Sequence, residues 1–283
     1  MVAPSSAWGE TNTADAFGGT NIIPLGGVRT ANQGVMFYLK NHRPIGQANY
    51  IKGAVRLPLI HCSHILEGHR LTLTQGLALV TLSGTKNVTT TRLSEYVWDA
   101  VAGEPQYGDV GAYTDGTYIF GYGHGSTSAT QLYTYLTRNL LTTWSNTSKW
   151  EYFNGSSNTW STTRLYNPAP SVALQWNPAD GSAWAIDQGQ MIWSAYYGCI
   201  IWVYTIDWSD NGAGLYSVYA RTAKTPQGPW TAAVKLYSVQ AATAGGLVYC
   251  AIANPYYDAS GKSIVVTVAN GANVIQATKV VFK

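Results

Sequence analysis

Three acidic residues stand where acid–base chemistry could be placed. Asp109 lies in "QYGDVGAY", beside Gly108 and at the head of an aromatic, strand-like run. Asp187 lies in "WAIDQGQMIW", just ahead of a second such run, and Glu104 precedes Pro105 in the same phrase as Asp109. Two carboxyl groups facing one bond can cleave a glycoside. One protonates the leaving oxygen while the other activates water or attacks the anomeric carbon. On that reading Asp109 and Asp187 are the pair, and Glu104 is a further general acid. A turn aspartate bonded to nearby backbone N–H groups accounts for the same local sequence at Asp109 and Asp187. An exposed loop accounts equally for Glu104.

The surrounding residues suit a hydroxyl-rich ligand. Gln188 and Gln190 flank Gly189 and offer amides to sugar hydroxyls. Tyr107, Trp184, Tyr249 and Tyr256 sit at the starts of strand-like runs, where they could stack on sugar rings or pack in a core. His124, in "GYGHGS", could line the same space or sit in a turn. Asp207, in "TIDWSDNG", reads as the end of a strand. His61, Cys62, His64 and His69 fit no zinc spacing, and a strand would turn Cys62 away from His61. No metal is expected. "GYGHGSTS" lacks the lysine and following helix of a phosphate loop, and no cofactor is implied.

These side chains must be carried by strands. Helical periodicity is scarce, and residues 130–142, "TQLYTYLTRNLLT", are the best candidate for a short helix. The 29 Gly, with abundant Ser and Thr, mark many short strands and tight turns. A hairpin unit recurs at 26–42, 110–125, 189–206 and 249–270, each time a polar or small strand followed by a β-branched and aromatic one. The second strands begin near Val35, Tyr118, Ile200 and Ile264, spaced by roughly 80, 80 and 65 residues, as four-stranded propeller blades with insertions would be. Further strands are expected at 69–75, 77–83, 150–166, 215–223, 232–238 and 274–282, the last closing a ring. The fold expected is all-β, a single β-propeller domain over 1–283, five-bladed with an incomplete first blade. A β-sandwich is the structural alternative.

Residues 221–237, "RTAKTPQGPWTAAVKLY", join two of these strands through a turn held by Pro226 and Pro229 and closed by Trp230. The phrase resembles the outer-strand turn of secreted five-bladed propeller glycosidases of the arabinanase and β-xylosidase type. There an Ala-Arg-Ser/Thr strand is followed by Gly-Pro-Trp. "YCAIANPYYDASGKSIVVTVANGANVIQATKVVF" resembles their last blade, and "EPQYGDVGAYTDGTYIFGYGHG" an inner one. More narrowly, the chain is similar to a fungal group of secreted propellers of unknown function, related to endo-D-arabinanases. The resemblance covers roughly 104–283 well and 1–103 weakly. It implies a polysaccharide-active or sugar-binding propeller. Such glycosidases carry an essential first-blade carboxylate, and the only matching phrases here are "WGETN" and "ADAFGGT".

The activity expected is hydrolysis of an arabinose- or xylose-containing polysaccharide. A non-catalytic carbohydrate-binding propeller is the alternative, and a polysaccharide lyase a third. With a formal charge of +3 and scattered cations, neither nucleic acid nor an anionic membrane is an expected partner. The longest apolar run, 196–206, is too short to span a bilayer. Asn87, Asn146 and Asn154 begin Asn-x-Ser/Thr sequons, which point to secretion with the leader absent from this chain. A monomer is expected. Cys199 and Cys250 read as buried free thiols or one inter-strand pair, and Cys62 leaves the cysteine count odd.

Overall fold

The computed structural model describes residues 5–8, 15–26, 32–42, 72–84, 87–100, 102–128, 131–174, 186–206, 214–243, 246, 248–271 and 274–282. Among these the regular structure is β, with short 3-10 turns and no α-helix. Strands β1 (Asp15–Pro24), β2 (Gln33–His42), β3 (Thr72–Ser83) and β4 (Asn87–Arg92) form one antiparallel sheet, with β5 (Trp98–Asp99) added to β3. Strands β6 (Gln106–Thr114), β7 (Tyr118–Ser128), β8 (Gln131–Leu140), β9 (Glu151–Asn154) and β10 (Thr159–Ser161) form a second. A third unit runs β11 (Ile186–Ser194), β12 (Cys199–Ile206), β13 (Leu215–Ala223), β14 (Val234–Gln240). The fourth is β15 (Val248–Asn254), β16 (Ser263–Asn270) and β17 (Ile275–Val281), tied to the third by one parallel pairing, Gly189 opposite Ala251.

The four units stack face to face in chain order. Alternate residues of one strand serve two different cores. Ile119 of β7 packs with Phe37, Leu77 and Trp98 of the first unit, whereas Phe120 and Tyr122 pack with Met191 and Trp202 of the third. Ile200 and Trp202 of β12 face the second unit, while Ile201 and Val203 face Ala253, Ile264 and Val266 of the fourth. A sheet buried on both faces reads as a continuous apolar run, which is why the strands lack clean polar–apolar alternation. A two-sheet sandwich does not have this arrangement. The first strands of the units are neighbours: β6 packs against β1 and β11, and β11 against β15.

Four local expectations need correction. Residues 131–140 form strand β8. Leu132, Tyr135, Leu136 and Leu140 mimic helical spacing because Tyr135 and Leu136 are buried in opposite cores. Residues 72–83 form one strand rather than two. Gly76, which looks like a break, lies under the Tyr38 ring, where an added Cβ would fall 2.1 Å from Cζ. The first hairpin begins at Asp15 rather than near Gly26, since "GGT" disguises β1. Cys199 and Cys250 form no disulfide with each other and are half-buried rather than buried.

The turn at 224–230 is the wedge between the second and third units. Trp230 is 1% exposed, 5.1 Å from the Trp202 ring and 6.3 Å from Tyr122. The Tyr122 hydroxyl donates to the Pro226 carbonyl at 2.8 Å. The turn closes on itself through Gly228 N–H to the Thr225 carbonyl at 3.0 Å.

Candidate functional site

All four first strands carry a β-bulge. On β6 the ladder passes from Tyr107 opposite Gly123 to Gly111 opposite Tyr122, leaving Gly108, Asp109 and Val110 outside it. On β11 the register breaks between Ile186 and Gly189, around Asp187 and Gln188. On β15 it breaks between Tyr249 and Ile252, around Cys250 and Ala251. On β1 it breaks between Gly19 and Asn21. Bulges re-aim side chains that regular alternation would send into one face or the other. In a stack of sheets both faces are core, so a bulge is how a first strand presents a polar group elsewhere.

Neighbouring bulges touch. Asn21, 7% exposed, donates through Nδ2 to the Gly108 carbonyl at 3.3 Å. Gly111 lies against β11, where an added Cβ would fall 2.8 Å from Met191 Cε. Cys250 Sγ donates to Gln188 Oε1 across β15 and β11. Polar contacts thus join the β1 and β6 bulges, Asn21 to Gly108, and the β11 and β15 bulges, Gln188 to Cys250.

Asp109 is the best-defined member. Gly108 adopts φ +94°, and an added Cβ would meet Phe37 Cδ1 at 2.2 Å. Only glycine fits there, and its geometry turns the next residue back toward β7. Asp109 Oδ1 accepts the His124 backbone N–H at 3.1 Å, and Oδ2 lies 3.0 Å from His124 Nδ1. The side chains are 11% and 12% exposed, so the pair is sheltered without being sealed. The contact is a hydrogen bond to an ionised carboxylate in the tautomer that carries its proton on Nδ1.

The remaining expected residues divide. The Glu104 side chain is 4% exposed and held at both oxygens by Arg164, Nε to Oε1 at 2.6 Å and Nη2 to Oε2 at 2.9 Å. Its Oε2 also accepts the Asp99 N–H at 2.9 Å, and Arg164 donates further to the Val97 carbonyl. Glu104 is therefore a clamp joining β5, the 102–105 turn and the 162–165 segment, and it does not meet Asp109. Tyr107 has no exposed surface and packs between Trp98 at 5.4 Å and Tyr152 at 5.5 Å. Burial pushes its hydroxyl pKa well above the usual tyrosine value, with the Tyr152 and Glu104 charges adding to the effect. Its ring is core, out of reach of a stacking ligand.

Gln188 and Gln190 are half-buried on β11, and Gln190 Oε1 is buried without a hydrogen-bond partner among the described residues. Tyr249 is half-buried on β15, and Tyr256 is 54% exposed in the turn after β15. Asp187 belongs to the β11 backbone, but its side chain lies outside the described residues, as do Trp184, Asp207 and the His61, Cys62, His64 and His69 group. Among the described residues no group of three His, Cys, Asp or Glu could hold a metal, and no helix is long and apolar enough to cross a membrane. Sequence reasoning missed Asn21 and the place of Cys250. The signal for Asn21 was the Gly-Gly pair before a polar residue in a strand-like run.

The four first strands hold Asp15, Asp109 and Asp187 and no Lys or Arg. Asp109 is the acid among these whose side chain is described, and it is accompanied by the amides of Asn21, Gln188 and Gln190.

No protein-family model matches the chain, and no curated protein matches it. Among solved structures it is similar to Zg3597, a family 117 glycoside hydrolase from the marine bacterium Zobellia galactanivorans, at 10% identity and TM-score 0.45. That match covers 95% of this chain and 73% of the other. It is similar to an endo-1,5-alpha-L-arabinanase from Thermotoga petrophila at 10% identity and TM-score 0.37, covering 87% of this chain and 53% of that enzyme. It is also similar to the Penicillium chrysogenum alpha-L-arabinanase, at 10% identity and TM-score 0.33, covering 96% and 98%.

Proposed function

We propose that the chain is a secreted β-propeller glycoside hydrolase acting on a neutral arabinose- or xylose-containing polysaccharide. The observation that supports this is the run of bulged first strands, with Asn21, Asp109 and Gln188 each at or beside a break and His124 paired with Asp109. Asp109 and Asp187 are the proposed carboxylates, each at a bulge near the start of its strand. Glu104 and Tyr107 are scaffold in this reading, while Gln188, Gln190, His124, Trp184, Tyr249 and Tyr256 remain proposed sugar contacts. The fold proposed is a single propeller of five blades, of which four units are described, and the kinship proposed is with the fungal secreted group named above.

Secretion is supported by the sequons. Asn87 begins β4, and Asn146 and Asn154 flank β9, all away from the first strands. The Asn146 and Asn154 turns are capped through Oδ1, to Ser148 N–H at 3.1 Å and Ser156 N–H at 3.0 Å. Glycan attachment at Nδ2 therefore leaves both caps intact. A monomer without metal, cofactor, nucleic-acid or membrane partner completes the proposal.

The test is release of reducing ends from a panel of arabinans, xylans and arabinogalactans, with Asp109→Asn and Asp187→Asn alongside. Equal release by wild type and both variants would sink the assignment. The binding-only reading draws support from the Glu104–Arg164 clamp, which removes one acid from service. It predicts retention on an immobilised glycan with no reducing ends released. A lyase would produce an unsaturated uronate absorbing in the ultraviolet, and the lack of first-strand cations argues against it.

A further inference from the structure

We propose that Asn21 is a positioning residue for Asp109, and that the β1 bulge is what aims it. The proposal rests on the hydrolytic reading above and adds a residue to that site. The β1–β2 ladder runs Gly18 opposite Leu39 and Gly19 opposite Tyr38, skips Thr20, and resumes with Asn21 opposite Phe37. Without the skip, Asn21 would stand opposite Met36, one place along. Neighbouring residues of a strand face opposite sides of the sheet, so a shift of one residue exchanges the faces. Phe37 packs toward the second unit with Tyr107, Ala112 and Ile119, whereas Met36 and Tyr38 belong to a separate core with Ala78. One extra residue on β1 therefore turns Asn21 away from that core and toward the second unit.

Asn21 and Phe37, directly opposed on one face, meet the same residue of β6. The Phe37 ring leaves no room for a side chain at Gly108, where an added Cβ would fall 2.2 Å from Cδ1. Asn21, nearly buried, donates through Nδ2 to the Gly108 carbonyl at 3.3 Å. Ring and amide thus hold Gly108 at two points from the first unit. The Gly108 carbonyl belongs to the peptide that leads into Asp109. That peptide is planar, so fixing its carbonyl fixes the direction in which the chain enters Asp109. From there Asp109 Oδ1 accepts the His124 backbone N–H at 3.1 Å, and Oδ2 lies 3.0 Å from His124 Nδ1. Asn21 carries no charge, so it sets the place of the carboxylate and adds no charge beside it. Leucine has the same branching at Cγ and no donor, so Asn21→Leu removes the grip and keeps the shape.

The experiment joins kinetics with backbone amide NMR of the full chain. In Asn21→Leu the Asp109 and His124 amide resonances are expected to move while the ladder amides of β8 stay in place. kcat on a cleaved glycan is expected to fall on the order of 10- to 100-fold, with KM moving less than about threefold. Asn21→Ala is the second variant and is expected to do the same. Glu104→Gln, which weakens the clamp away from the bulge, is expected to keep both resonances and kcat. A Glu104→Gln protein that shifts and slows as much refutes the positioning role, because lost stability alone then accounts for the effect. Unmoved Asp109 and His124 resonances in folded Asn21→Leu refute it whether or not the chain cleaves. A crystal structure with the Asn21 amide turned away from Gly108 refutes it even if neither variant folds. Wild type that cleaves while folded Asn21→Leu cleaves equally well refutes this proposal alone. Wild type that releases no reducing ends refutes the hydrolytic reading, while moved resonances still uphold the hold of Asn21 on Asp109.

Discussion

Replacing Gly108 by alanine tests whether the β6 bulge is held by packing or merely tolerated. Two costs are separable. A non-glycine residue at φ +94° gives up about 1–2 kcal/mol of backbone energy. The new Cβ also lands 2.2 Å from Phe37 Cδ1. Phe37 cannot yield easily: it is fully buried, stacked 6.2 Å from Trp98 and edge-on 6.2 Å from Trp150. Overpacking of that kind costs about 1–3 kcal/mol, so Gly108→Ala is expected to lose roughly 2–5 kcal/mol in all. Phe37→Ala removes Cδ1 and Cγ, the two nearest atoms, and leaves Cβ at 2.7 Å together with the backbone cost. In the Phe37→Ala background, Gly108→Ala should therefore lose less than in wild type, a coupling of about 1–3 kcal/mol. Urea unfolding of the four proteins, with m-values held constant, measures the cycle. Additivity within about 0.5 kcal/mol would refute the packing argument, and a Gly108→Ala protein as stable as wild type would refute both terms.

Four further expectations follow from the scaffold. Trp230→Ala should lose about 3–5 kcal/mol in urea unfolding, since the indole fills the wedge between the second and third units. Tyr122→Phe should lose only about 0.5–1.5 kcal/mol, the hydroxyl's bond to Pro226. Glu104→Gln should destabilise by roughly 2–4 kcal/mol, discounted from a fully buried pair because Arg164 is 35% exposed, with glycan cleavage by the folded protein unchanged. Asp258 has its pKa lowered to about 2, first by the Ser260 hydroxyl and then by Ser263. Its folded value is depressed, so its stabilising contribution is present above the unfolded carboxylate range and fades as pH falls toward 2. Asp258→Asn should flatten that part of the acid-unfolding profile, and a profile identical to wild type would count against the assignment.

The sequence made the second, third and fourth units legible because their second strands concentrate β-branched and aromatic residues. Strand β13 runs over the expected 215–223, and β14 and β17 lie within two residues of expectation. The first unit was harder, since β1 carries Gly18, Gly19 and a bulge. The site was partly legible. Asp109 stood out beside a glycine, but its partner lies across a hairpin, and nothing in "GYGHGS" distinguishes a turn histidine from one on β7. Glu104 looked equally exposed in sequence, because Arg164 is 60 residues away in the chain and only the fold brings it near.

The bulges explain why a stack of sheets can host chemistry at all. Along β6, Tyr107 packs toward the first unit and Val110 toward the third, then Ala112 and Tyr113 again divide between the two cores. A strictly alternating strand would have committed residue 109 to one of those cores, where an ionised carboxylate costs far more than the fold can supply. Three residues outside the ladder remove that commitment and let the carboxylate turn to His124 instead. Glycine takes positive φ at position 108 without steric cost, and the aromatic packing around Phe37, Trp98 and Trp150 leaves no room there for a side chain. Site geometry and core packing are thus one device in this chain. Weakening the Phe37 cluster should loosen the Asp109–His124 contact before it unfolds the sheet. The nitrogen-15 signal of His124 in Phe37→Leu is the direct measurement, and a tautomer unchanged from wild type would separate the two.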